Sequence, residues 1–257
     1  LRVAEKFQEL KQQGKGGLIA YVCAGDPTPS ATRGFVEALV RGGADIIELG
    51  LPFSDPVADG PTIQAASQRA LARGMNPDLF FQTASQIKVK VPVLVMTYYN
   101  LIFHRGIEKF CQDALDAGLS GIIVPDLPAD EAGELAGACK KHNLDLIFFV
   151  TPTTTTQRLK NTLKQATGFL YLVSRLGVTG ARTDISTATR ELLERVPPQL
   201  PRAVGFGIST PEQAKEIIRA GADAVIIGSA FVNIIAREGE KSEKKLEELA
   251  HNIKKSI

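Results

Sequence analysis

Short apolar runs recur along this chain, each followed by a polar loop and then by a stretch with helical spacing of apolar residues. The runs are Leu18–Cys23, Asp45–Leu49, Val93–Tyr98, Gly121–Val124, Leu144–Val150, Phe169–Val173, Arg202–Val204 and Ala224–Ile227. Most are apolar throughout, without alternation, the pattern of strands buried on both faces in a parallel sheet. Helical stretches such as Thr32–Arg41, Ile107–Ala117, Ala132–His142 and Glu212–Ala220 lie between them. The phrases RGGADII, DAGLSGII and RAGADAVII each end a helix on glycine and enter the next strand within a few residues. Glycine there supplies the left-handed backbone that stops a helix. Strand starts are thus tightly joined to the preceding helices, while several strand ends open into longer loops. Eight such units predict an α/β fold, a closed (β/α)8 TIM barrel. Residues 1–16 add an N-terminal helix with Val3, Phe7 and Leu10 on one face, placed to plug the barrel bottom. No linker interrupts the pattern, so residues 1–257 are expected to form one barrel domain.

Composition narrows the partners. An apolar share of 44% supports a large core, and 30 basic against 28 acidic residues leave no charged stripe. Nucleic acid and membrane surfaces are therefore not expected as partners. Cys23, Cys111 and Cys139 are odd in number, far apart and without metal-like spacing, which predicts free thiols in a reducing compartment. The chain starts at Leu1, read as a trimmed or processed start. No signal peptide and no bilayer-length apolar run are present, and a cytoplasmic protein is expected.

Chemistry in such barrels gathers at the C-terminal ends of the strands. The segment IIELGLPFSDPVADGP, residues 46–61, places Glu48 at the close of the second strand, with Asp55 and Asp59 following among Pro52, Pro56 and Pro61. A glutamate aimed into an apolar mouth is desolvated, and its pKa rises toward neutrality, where it can both give and take a proton. The plainer reading pairs Glu48 with a basic side chain that holds the loop. Asp55, in Ser-Asp-Pro, suits a turn. Asp59 suits a cap before Pro61, yet lies close enough to Glu48 to share a substrate. VGFGIST and IIGSAFV put glycine turns at the ends of the seventh and eighth strands. Loops 7 and 8 are where barrels bind phosphate through backbone amides, although simple tight turns would look alike. SRLGVTGARTDIS, residues 174–186, reads as a mobile lid or as a plain connection.

Absences matter as much. His104, His142 and His251 are not gathered at the mouth, so no metal site is expected. No lysine ends a strand, which removes Schiff-base chemistry, and no Ser–His pair suggests acyl transfer. Carboxylate acid–base chemistry on a small phosphorylated substrate remains. Tyr21, Tyr98, Phe149, Tyr171 and Phe206 would line its pocket.

In order and spacing, AGDP, ELGLPFSDPVADGPTIQ, YLVSRLGVTGAR, VGFGIST and IIGSAFV resemble the tryptophan synthase α-subunit family over essentially the whole chain. The resemblance implies retro-aldol cleavage of indole-3-glycerol phosphate to indole and glyceraldehyde 3-phosphate. By that likeness Glu48 is the general acid–base, Asp59 holds the indole N–H, and Tyr171 assists at the reacting centre. Gly180, Gly207, Gly228 and Ser229 match the phosphate cradle. Tyr21, Tyr98, Ile123 and Phe149 match the indole pocket. Thr179, with Arg175 in the same loop, matches the lid. Asn100 matches the partner-facing loop, to which Asp55 is added. The implied partner is a β-subunit that carries pyridoxal phosphate, in an αββα heterotetramer; no cofactor is expected in this chain. Ala20 and Thr151 depart from the family's frequent Pro and Ala. A stand-alone lyase of the same fold and a catalytically silent allosteric partner are the alternatives.

Overall fold

The computed structural model describes residues 2–173, 187–205 and 207–257. Among them, eight parallel strands close a barrel in chain order, with the eighth pairing back onto the first. They are β1 (Gly17–Cys23), β2 (Ile46–Gly50), β3 (Val93–Met96), β4 (Gly121–Ile123), β5 (Asp145–Val150), β6 (Leu170–Val173), β7 (Arg202–Gly205) and β8 (Ala224–Ile227). Around them run α1 (Val3–Gln12), α2 (Ala31–Arg41), α3 (Pro61–Ala72), α4 (Pro77–Ser85), α5 (Tyr99–Arg105) and α6 (Ile107–Asp116). The ring continues with α7 (Gly133–Lys141), α8 (Thr156–Gln165), α9 (Thr187–Arg195), α10 (Pro211–Arg219), α11 (Ser229–Glu238) and α12 (Glu243–Ser256). This is the (β/α)8 barrel that the apolar pattern predicts.

The repeated glycine phrases act as expected. Gly43, Gly118 and Gly221 all have positive φ. The following residue in each case donates its N–H back to the helix, as Ala44 does to the Leu39 carbonyl at 3.0 Å and Leu119 to that of Ala114 at 2.9 Å. Each helix so ends with its last carbonyls satisfied and its chain aimed into the next strand.

Of the strand ends that differ from expectation, two bear on the site. β2 runs on through Gly50, which still pairs with Cys23 and Met96, so Glu48 lies inside the strand and does not close it. β3 stops at Met96, short of Tyr98. The Tyr99 N–H is taken by the Asp126 side chain at 2.9 Å, which turns the chain into α5.

The bottom of the barrel is sealed. α1 buries Val3, Phe7 and Leu10, and Phe7 meets Phe169 at 5.9 Å. Asp45, just before β2, accepts the Leu18 N–H at 2.8 Å and the Lys254 ammonium at 2.7 Å. Cys111 and Cys139, distant in sequence, come within hydrogen-bonding reach across α6 and α7. No helix among the described residues is long and apolar enough to cross a membrane.

Candidate active site

A cavity of about 440 Å³ opens at the C-terminal ends of the strands. Strand pleating decides which side chains reach it, since alternate residues face the barrel axis. Tyr21 on β1 sits opposite Glu48 on β2, and both line the cavity. Glu48 is 2% exposed, and its Oε2 has no hydrogen-bond partner among the described residues. Burial, and then the neighbouring Asp59, push its pKa up to about 8. Among the described residues, no partner holds it in one protonation state.

Asp59 reaches the same cavity from the loop after β2. Burial raises its pKa to about 6, against the opposing pull of a hydrogen bond from Tyr98. The Tyr98 hydroxyl also accepts the Ala58 N–H at 3.0 Å, and its ring stacks on Phe53 at 5.3 Å. One phenol thus grips both arms of this loop. Tyr171 on β6 stacks on Phe149 at 4.4 Å, and burial followed by Glu48 and Asp59 raises its pKa well above the usual phenol value. It stays a neutral donor. Two glycines make room for aromatic rings. A Cβ on Gly205 would lie 2.6 Å from Tyr171 Cε1, and one on Gly50 would strike the Tyr21 hydroxyl.

The far wall is built from turns. Gly207, Ile208 and Ser209 after β7, and Gly228 and Ser229 after β8, line the cavity. The two helix N-termini beyond these turns differ. Thr210 and Gln213 close α10 with a reciprocal capping box, and Gln213 Oε1 also takes the Ser209 N–H at 2.9 Å. α11 starts from Gly228 with no side-chain cap. Uncapped first-turn amides of this kind favour an anion. Among the described residues no cluster of His, Cys, Asp or Glu is suited to hold a metal ion.

The tryptophan synthase alpha chain family matches residues 7–257. The chain belongs to the tryptophan synthase alpha chain family. A tryptophan synthase alpha chain from Methanosarcina acetivorans is 59% identical over 256 residues, covering 100% of this chain and 94% of that protein. Among solved structures, tryptophan synthase subunit alpha from Legionella pneumophila superposes with a TM-score of 0.91 at 34% identity, covering 100% of this chain and 98% of that one. A chain of the tryptophan synthase complex from Pyrococcus furiosus gives 0.85 at 36% identity, covering 93% and 98%. This chain is accordingly a lyase that cleaves indole-3-glycerol phosphate to indole and glyceraldehyde 3-phosphate.

Of the residues singled out from sequence, Tyr21, Glu48, Asp59, Phe149, Tyr171, Gly207, Gly228 and Ser229 meet in the one cavity. Tyr98 lies behind Asp59 and is not part of the wall. Ile123 is fully covered at the end of β4, and Pro125, two residues nearer the mouth, lines the cavity in its place. Asp55 and Asn100 are exposed, Asn100 within α5 and not in a loop. Arg175, Thr179, Gly180 and Phe206 lie outside the described residues. Sequence reading missed Met96, Ile63 and Asn233 as wall residues, and Thr151, read only as a departure bearing on pocket shape, lines the wall as well. Thr151 had a signal, as a departure from the family's usual residue at a strand end. Asn233 had one too, four residues after Ser229 and hence on the same helix face.

Proposed function

We propose that Glu48 is the general acid–base of the lyase reaction and Asp59 its electrostatic partner. The observation that carries this reading is the buried Oε2 of Glu48, unpartnered among the described residues, inside a cavity that Asp59 also enters. With its pKa pushed up to about 8, Glu48 holds a proton at neutral pH and can give it to C3 of the indole ring. The ring N–H then gains positive charge, which the Asp59 carboxylate, about half ionised near pH 6, stabilises. The Glu48 carboxylate next takes the proton of the adjacent glycerol hydroxyl. The bond between ring and side chain breaks, its electrons restore the aromatic ring, and the hydroxyl carbon leaves as an aldehyde. One proton is given and one taken, so Glu48 ends as it began.

Tyr171, held neutral, orients the reacting centre. Tyr21, Phe149 and Met96 form the apolar floor for indole. The open amides of α11 with Ser229 and Gly207 hold the phosphate. The exposed apolar residues Val57, 82% exposed near the tip of the loop after β2, and Phe103, 66% exposed on α5, support a partner-facing surface that includes Asp55 and Asn100. On this reading the partner is a β-subunit carrying pyridoxal phosphate, in an αββα complex, and the chain is one barrel domain working in the cytoplasm. Release of indole from indole-3-glycerol phosphate, measured with and without a β-subunit beside Glu48→Gln, tests it. Activity that rises with the partner and is lost in the variant is expected. Full activity in Glu48→Gln would overturn the assignment of Glu48.

A further inference from the structure

The cavity wall next to Glu48 is partly one helix. Gly60, the N-cap of α3, and Ile63 in its first turn both line the cavity, and Gln64 Nε2 donates to the Asp59 carbonyl at 2.9 Å. Wherever α3 sits, Asp59 follows. Yet the buried face of α3 consists of Ala66, Ser67 and Ala70. Such short side chains allow close packing, and beyond Ile63, which packs against the core at the first turn, they supply no large ridge to resist sliding or rotation.

A charge pair supplies what packing lacks. Arg69, roughly 12 Å along the helix axis from Pro61, donates from Nε to Asp26 Oδ1 at 2.7 Å and from Nη2 to Oδ2 at 2.8 Å. Asp26 is 1% exposed, in the turn after β1, where its own N–H bonds the Cys23 carbonyl. The same turn is seated on the helix. A Cβ added to Gly25 would lie 3.3 Å from Ala70 Cβ and 2.8 Å from Met75 Cε. Two parallel bonds from a planar fork fix direction and rotation as well as distance. Neither charged group lines the cavity.

We infer that the Asp26–Arg69 pair is a positioning device for the reaction, fixing the height and rotation of α3 and thereby holding Asp59 toward Glu48. The inference rests on the reading of Glu48 and Asp59 as the reacting carboxylates. A role in stability alone is a poor explanation, because the Arg69 side chain is 37% exposed, and an ion pair with one member open to water contributes little net stability. What the pair supplies is direction.

Two variants separate the roles. Arg69→Lys keeps the charge and loses the fork, and Asp26→Leu/Arg69→Met keeps the volume and loses both. In each, kcat for indole release should fall roughly ten-fold or more, while KM changes by less than about two-fold. The apolar double variant should keep its melting temperature. In the unliganded chain, the Asp59 carboxyl, titrated by carbon NMR, should move from about 6 toward 3.8 as the loop carries it into water. An apolar double variant with parental kcat and an unmoved Asp59 midpoint overturns the inference, whatever its melting temperature. If Arg69→Lys fails to fold, the double variant decides alone. The NMR midpoint needs no turnover, so an inert parent chain would count against the acid–base assignment and leave the positioning test standing.

Discussion

Asp45 and Glu48 stand three residues apart, one just before β2 and the other inside it, and they have opposite surroundings. Asp45, at the bottom, accepts a backbone N–H and the Lys254 ammonium at one oxygen, so its carboxylate is engaged by the protein itself. Glu48, nearer the top, is buried with an oxygen that none of the described residues satisfies. A buried polar atom without a partner costs stability. At Glu48 that cost falls on the face where the cavity opens.

The contrast breaks first at Glu48. A carboxyl with a raised folded pKa binds its proton more tightly in the folded state, so stability is lost as pH rises from 4.5 to about 8 and is level beyond. Each pH unit in that window is worth at most about 1.4 kcal/mol. Glu48→Gln should therefore match the parent near pH 4.5 and exceed it by a few kcal/mol at pH 8, read by urea unfolding at both values. A variant no more stable at pH 8 would mean that Glu48 has a hidden partner. Asp59→Asn comes next, with a loss of about 10²–10³ in kcat from removing a preorganised charge and little change in melting temperature.

At the bottom the signs reverse. Asp45→Asn should lower stability by about 1–3 kcal/mol through the lost charged hydrogen bond, seen as a lower urea midpoint, with indole release close to parental. Comparable losses of activity at both ends would dissolve the contrast. The smallest effect sharpens it. Tyr98→Phe removes the donor that favours ionised Asp59, so the Asp59 midpoint should rise above about 6, with stability lower by about 1 kcal/mol. A falling midpoint, by the same NMR titration, would show that the hydroxyl does not serve Asp59.

Much of this was legible before any coordinates. Strands buried on both faces read as unbroken apolar runs, so all eight were visible, and one glutamate inside such a run is conspicuous. The edges were less visible, because side-chain bonds set them. Tyr98 reads as the last residue of an apolar strand, but its hydroxyl serves a backbone amide 40 positions earlier. Arg69 reads as an ordinary surface arginine on a helix, and its partner Asp26 is 43 positions away. Periodicity records which face is buried. It holds no information about which distant polar atom a side chain will meet.

The ring of Tyr21 lying over Gly50 has a consequence for the history of such a chain. With the tyrosine in place, glycine 50 cannot acquire even one methyl group without displacing the phenol beside Glu48. A lineage could admit a larger residue there only after position 21 had shrunk, and the shrunken ancestor would carry a gap in its cavity wall. The order of substitutions is therefore constrained as well as their identity, because change at position 50 waits on change at position 21.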